Sequence, residues 1–148
     1  MKLLLFALVL SFSTSAIAQK NNSEIFQTDG KAIKGYDVVA FYTDAKPIAG
    51  NEKFVHNWKG VSWLFNTQEH LDSFKISPEK YAPQYGGYCA YGIADGHKAP
   101  TETGTWTIIE NKLYFNYNDK VKQLWNKKPK EYIEKADNNW KVVKNSEF

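Results

Sequence analysis

The feature that most constrains this chain is a pair of aromatic-loaded alternations joined by a short reversal. Phe54, His56 and Trp58 take every second position of one run, and Val61, Trp63 and Phe65 do the same after Lys59-Gly60. A period of two places each set on one face of an extended strand, and a glycine-containing reversal joins such strands as a β-hairpin. A two-stranded hairpin is at best marginally stable alone, so its aromatic face must be buried against other elements. A second hairpin follows the same logic, with Trp106-Thr107-Ile108-Ile109 and Leu113-Tyr114-Phe115-Asn116-Tyr117 flanking a turn around Glu110-Asn111-Lys112. Tyr36 to Tyr42, rich in β-branched and aromatic residues, reads as a further strand beginning at Gly35.

Helices are announced by their start signals. Asn66, with Glu69 three residues on, has the spacing of a capping box ahead of Leu71 and Phe74. Ser77-Pro78 begins another helical turn. Asn118 caps a helix carrying Val121, Leu124 and Trp125. Pro129 opens the last helix, where Tyr132, Ile133, Ala136 and Trp140 form an apolar stripe. The segment from Tyr81 to Gly104 holds five glycines and two prolines and reads as mostly loop. Strands and helices are grouped rather than strictly alternating, which predicts an α+β fold: a small single domain with two aromatic-rich β-hairpins, short helices and C-terminal amphipathic helices. The hairpins and the last helix are expected to share one core that buries Trp63, Trp106 and Trp140.

The two ends read differently. Lys2, the apolar run Leu3 to Leu10 and the small-x-small Ala16-Ile17-Ala18 have the form of a secretory signal peptide, so residues 1–18 are expected to be removed at Ala18-Gln19 and the rest exported to a periplasm or beyond the cell. The apolar run is shorter than the roughly 20 residues a membrane span needs, and no span is expected in the mature chain. Residues 19–34 read as a flexible segment, 35–143 as the domain and 144–148 as a tail. All 19 basic side chains are lysine, and without the bidentate fork of arginine a nucleic-acid partner is not indicated.

Cys89 is the only cysteine, so an internal disulfide and dithiol exchange within one chain are both excluded. It follows Gly86-Gly87 and stands between Tyr88 and Tyr91, a setting in which a thiol can be aimed at a pocket. The histidines are His56 on the first hairpin, His70 on the helix after it, and His97 in a loop after Gly96. A thiolate with imidazoles suits Cu(I) or Zn(II), and Cu(I) accepts the lower coordination that one cysteine allows. Cys89 with His56, and with His70 as a third donor, is the expected metal set. His97 is the poorest candidate by its loop position. Neither a G-x-S-x-G elbow nor a phosphate loop occurs.

Four segments carry a family likeness: Gly35-Tyr36-Asp37-Val38-Val39-Ala40-Phe41, His56-Asn57-Trp58-Lys59-Gly60, the long run from Pro78 to Tyr91, and Ala136-Asp137-Asn138-Asn139-Trp140. Across these the chain resembles exported bacterial proteins of the YHS-domain family. The resemblance implies metal binding, since YHS modules occur in heavy-metal transport proteins. Tyr-His-Ser stands here as Val55-His56-Asn57, and the family's Cys-x-x-x-Cys positions hold Asn66 and His70. The expected function is a soft-metal binding module, copper foremost, with an enzyme that uses the Cys89 thiolate as a rival. A redox protein using Cys89 and a structural or interaction domain, with a protein partner in either case unknown, are the other readings.

Overall fold

The computed structural model describes residues 23–148, so the expected leader lies outside the described residues. Strands β1 (Gln27–Thr28), β2 (Lys31–Ala32), β3 (Asn51–Trp58) and β4 (Val61–Phe65) form a mixed sheet in the order β1-β2-β4-β3, and β5 (Glu102–Ile109) pairs with β6 (Lys112–Asn116) as a separate hairpin. Six helices complete the α+β domain: α1 (Ala40–Thr43), α2 (Gln68–Ile76), α3 (Pro78–Tyr81), α4 (Ala90–Ala94), α5 (Asp119–Trp125) and α6 (Pro129–Val143). Both hairpin turns place two successive residues at positive φ, Lys59 and Gly60 at 51° and 73° and Glu110 and Asn111 at 51° and 59°. That is the turn geometry whose twist matches the flanking strands. Among the described residues no helix is long and apolar enough to cross a membrane.

The aromatic faces are buried as expected, but in two clusters rather than one core. Trp63 and Phe65 of β4 pack on Phe74 of α2, with ring centres 5.0 Å apart in each pair. Tyr85, Tyr88, Tyr114 and Trp125 form the second cluster, with Ala136 and Val143 of α6. The wall between them is β6, whose Leu113 and Phe115 enter the first cluster and whose Tyr114 enters the second. Trp63 is fully buried, whereas Trp106 and Trp140 are half-buried at the cluster margins.

Four local expectations are corrected. The segment Gly35 to Tyr42 is not a strand, because Asp37 Oδ1 accepts from the N–H groups of Val39 (2.9 Å) and Ala40 (3.2 Å) and turns the chain into α1. A side chain that bonds nearby backbone donors competes directly with sheet pairing. The cap of α2 is Thr67, whose Oγ1 accepts from His70 N–H at 3.1 Å, while the N–H of Asn66 donates to Asp37 Oδ2 at 2.8 Å. The stretch after Tyr81 contains a 3-10 turn at Gln84–Gly87 and then α4. In that turn Tyr85 and Gly86 have φ of 55° and 62°, and a Cβ on Gly86 would lie 1.8 Å from the carbonyl oxygen of Glu24. Glycine is required there by the close approach as well as by φ.

The fourth correction concerns the ends. Within 23–34 the chain is packed, not loose: Ile25 and Phe26 are buried, and β2 pairs parallel to β4 through Lys31 and Ser62. The tail is docked too. The buried ammonium of Lys98 donates to the carbonyls of Ser23 (3.1 Å), Lys144 (2.9 Å) and Ser146 (2.9 Å), and the Phe148 ring lies 5.3 Å from that of Tyr88. A buried charge persists only with such compensation, so Lys98 ties Ser23 and the C-terminal tail to the second cluster.

Asp37 is fully buried and also lies 2.7 Å from His70 Nδ1, so four donors or ring contacts converge on one carboxylate. Replacing Asp37 by Ala strands three backbone N–H groups, each worth about 1–3 kcal/mol when buried without a partner. Asp37→Ala is therefore expected to lower unfolding free energy by about 3 kcal/mol or more in urea titration. A loss below about 1 kcal/mol contradicts this assignment.

Candidate functional site

Cys89 emerges from the 3-10 turn at the first position before α4, bridged in parallel to Phe115 of β6. Its Sγ accepts the N–H of Gly92 at 3.4 Å, which caps the helix, and its thiol donates to Asn116 Oδ1 at 3.7 Å. The same Asn116 oxygen accepts from Tyr91 N–H at 3.2 Å. The residue is only 2% exposed. Burial pushes the thiol pKa up, against the smaller opposing pull of hydrogen bonds from the backbone of Gly92, Tyr117 and Tyr91.

The thiol forms part of the wall of a groove of about 350 Å³ that Gly92, Asp95, His97, Tyr117 and Val121 also line. The loop carrying His97 is brought back over α4 by a hydrogen bond from His97 N–H to the Gly92 carbonyl (3.0 Å) after Gly96 at a φ of 90°. The His97 Nδ1 stands 3.5 Å from Asp95 Oδ2, and the ring is 59% exposed. Its Nε2 is turned toward Gly92, 3.6 Å from where a Cβ on that residue would be. Gly92 thus touches both groups, its N–H meeting the thiol sulfur and its Cα side facing the imidazole.

The other two expected ligands lie elsewhere. Both nitrogens of the His70 ring face partners: Nδ1 meets Asp37 at 2.7 Å, and Nε2 lies 3.2 Å from Thr43 Oγ1 and 3.8 Å from Asp44 Oδ2. At 14% side-chain exposure it is a linchpin between α1 and α2. His56 is on β3 opposite Trp63, with its ring 6.3 Å from Phe74. Both belong to the side of the first cluster, whereas Cys89 sits against β6 and α4. The fold therefore does not gather Cys89, His56 and His70 into one site. Among the described residues no group of three or more His, Cys, Asp or Glu side chains is placed to hold a metal ion. The imidazole that shares a groove with the thiol is His97. The sequence signal for it was the Gly92 and Gly96 pair, which allows the loop to fold back on the helix.

The raised thiol pKa has a definite sign in stability. With the folded value above the unfolded one, the contribution of Cys89 is fully present below the unfolded pKa of about 8.5 and is lost as pH rises through the folded value. Tyr42, Tyr88 and Tyr114, pushed by burial to about 12 from 10.0, extend the same loss to higher pH. The urea midpoint is expected to fall steadily above about pH 8.5, and Cys89→Ala is expected to flatten the first part of that fall. Native protein is expected to react slowly with a thiol reagent and fast in denaturant. A midpoint constant between about pH 8 and 11 contradicts the burial argument. No family model, no curated protein and no solved structure matches this chain.

Proposed function

We propose that the chain is an exported, YHS-like binding module for a soft metal ion, Cu(I), held by Cys89 and His97. The observation that carries this reading is the orientation of His97: Nε2 faces Gly92, whose N–H rests on the Cys89 sulfur, while a carboxylate stands behind Nδ1. A carboxylate on the far nitrogen is the usual outer-shell partner of a metal-binding histidine, where it fixes the ring and raises its basicity. A thiolate and an imidazole are soft donors that select Cu(I) over magnesium or calcium. The donor set fits an ion content with few ligands, and it does not fit a four-ligand zinc centre. In this reading His97 replaces His56 and His70, whose surroundings serve the fold.

Binding of the ion requires loss of the thiol proton, and burial opposes that loss. Uptake should consequently weaken as pH falls. The same raised pKa argues against Cys89 as a redox nucleophile, because the thiolate is the reactive form. A purely structural role is the second reading, favoured by the Gly92 N–H bond to sulfur that caps α4.

Anaerobic competition against a chromophoric Cu(I) chelator separates the two. Reduced wild-type protein is expected to retain about one Cu(I) per chain. Loss of an outer-shell partner alone weakens metal affinity about 10–100-fold, so His97→Ala is expected to cost at least about tenfold. Cys89→Ser keeps a cap on α4 and is expected to abolish retention, whereas His56→Ala leaves it unchanged. Equal retention by wild type and Cys89→Ser, with circular dichroism unchanged, overturns the metal reading in favour of the cap.

A further inference from the structure

A second cavity lies away from Cys89, in the seam between the two clusters. It is a cleft of about 300 Å³, within the range of small-ligand sites. Trp58, at the end of β3, lines it from the first cluster, and Trp140 on α6 lines it from the second. Both indoles are half-buried, so each packs on its own cluster and still contributes surface to the cleft. Three carboxylates, Glu24, Glu79 and Asp137, line it beside a single lysine, Lys59.

We infer that this cleft binds a small organic ammonium ion. The chain's own ammonium already uses the chemistry: Lys59 Nζ sits 4.8 Å from the centre of the Trp58 ring and 2.8 Å from Glu24 Oε1. An aromatic face together with a carboxylate is the combination that holds alkylammonium ions. Lys59 and Glu24 neutralise each other, which leaves Glu79 and Asp137 to set the charge of the cleft. Glu79 makes no hydrogen bond or ion pair among the described residues. Asp137 receives the Tyr85 hydroxyl on Oδ1 at 2.8 Å, a neutral donor that leaves its charge uncompensated. The lining side chains thus carry a formal excess of negative charge, which favours a cation over an anion or a neutral ligand.

The cleft is also preformed. Asp137 and Trp140 are three residues apart on α6 and so lie on one face of that helix. The Tyr85 hydroxyl, shared between Asp137 and the Ile133 carbonyl at 3.3 Å, locks that face to the 3-10 turn. The turn is in turn held by the N–H of Phe26 donating to the Gly86 carbonyl at 2.8 Å. The left-handed backbone at Tyr85 and Gly86 is maintained by these contacts, and a wall already fixed loses little freedom when a ligand arrives.

The test uses tryptophan fluorescence of the full mature protein titrated at low salt with choline chloride. The parallel probe is 3,3-dimethyl-1-butanol, which has the same shape with carbon in place of the charged nitrogen. Choline is expected to give a saturable change, with the neutral isostere at least about tenfold weaker. Glu79→Gln combined with Asp137→Asn keeps an acceptor for Tyr85 and is expected to weaken choline about fivefold or more while leaving the isostere unaffected. Trp140→Leu is expected to remove saturation, and Cys89→Ser to leave choline binding intact. Equal binding of choline and the isostere overturns the inference, as does a choline response no larger than that of sodium chloride. Wild-type affinity in the double carboxamide variant also overturns it. Should Trp140→Leu not fold, the wild-type comparison of the two probes and the carboxamide variant decide the matter.

Discussion

The alternation of side chains along β6 is the constraint on which the rest of the molecule depends. A strand presents successive residues to opposite faces. Here Leu113 and Phe115 therefore complete the first cluster while Tyr114 completes the second. Register matters more for such a strand than for one with a solvated face. A slip of one residue would send every side chain to the wrong cluster. The register is pinned at its far end by Thr105, whose Oγ1 accepts the Asn116 N–H at 2.8 Å and shares its proton between the carbonyls of Glu102 (2.6 Å) and Asn116 (2.8 Å). That bracket lies where the pairing of β5 and β6 is irregular, between Glu102 and Thr107. It also fixes the Asn116 side chain, which holds the Cys89 thiol and the start of α4. The strand that separates the clusters thus positions the candidate thiol as well.

The parts of the fold that could be read in the sequence are those determined by neighbours in the chain. Both hairpins follow from period-two aromatic patterns. The starts of α5 and α6 follow from Asn118, whose Oδ1 accepts the Val121 N–H at 2.9 Å, and from Pro129 at the first helical position. Part of what could not be read is local, as where Asp37 Oδ1 turns the chain through the N–H groups of Val39 and Ala40, and part depends on partners far along the chain. Asp37 sits in a segment of strong strand propensity, and the bonds that define it reach Asn66 and His70, 29 and 33 residues away. The same carboxylate holds His70 at the junction of α1 and α2, outside the groove that Cys89 lines. Ile25 and Phe26 lie in polar sequence and are buried by residues far along the chain, Ile25 in the first cluster and Phe26 against Tyr88 and Phe148. His97 was hidden for a related reason, since a loop histidine acquires a neighbour only when the loop closes on α4.

The two buried charges follow one rule. Asp37 is satisfied by backbone N–H groups and an imidazole, and Lys98 by three carbonyls and the face of Tyr88 at 5.0 Å. Each buried charge joins elements that periodicity alone would leave independent: α1 to α2 in one case, Ser23 and the C-terminal tail in the other. Such groups stiffen the junctions between packed units. The groove at Cys89 and the cleft at Trp140 both take their walls from more than one element.

The central claim is that β6 makes two aromatic clusters into one cooperative domain. Native-state amide hydrogen exchange tests it directly, by comparing the slowest amides of β4 in the first cluster with those of α6 in the second. If β6 couples the clusters, both sets exchange with one opening free energy, equal to that of global unfolding. If α6 opens at a clearly lower free energy while β4 stays protected, the clusters are independent and the account is contradicted.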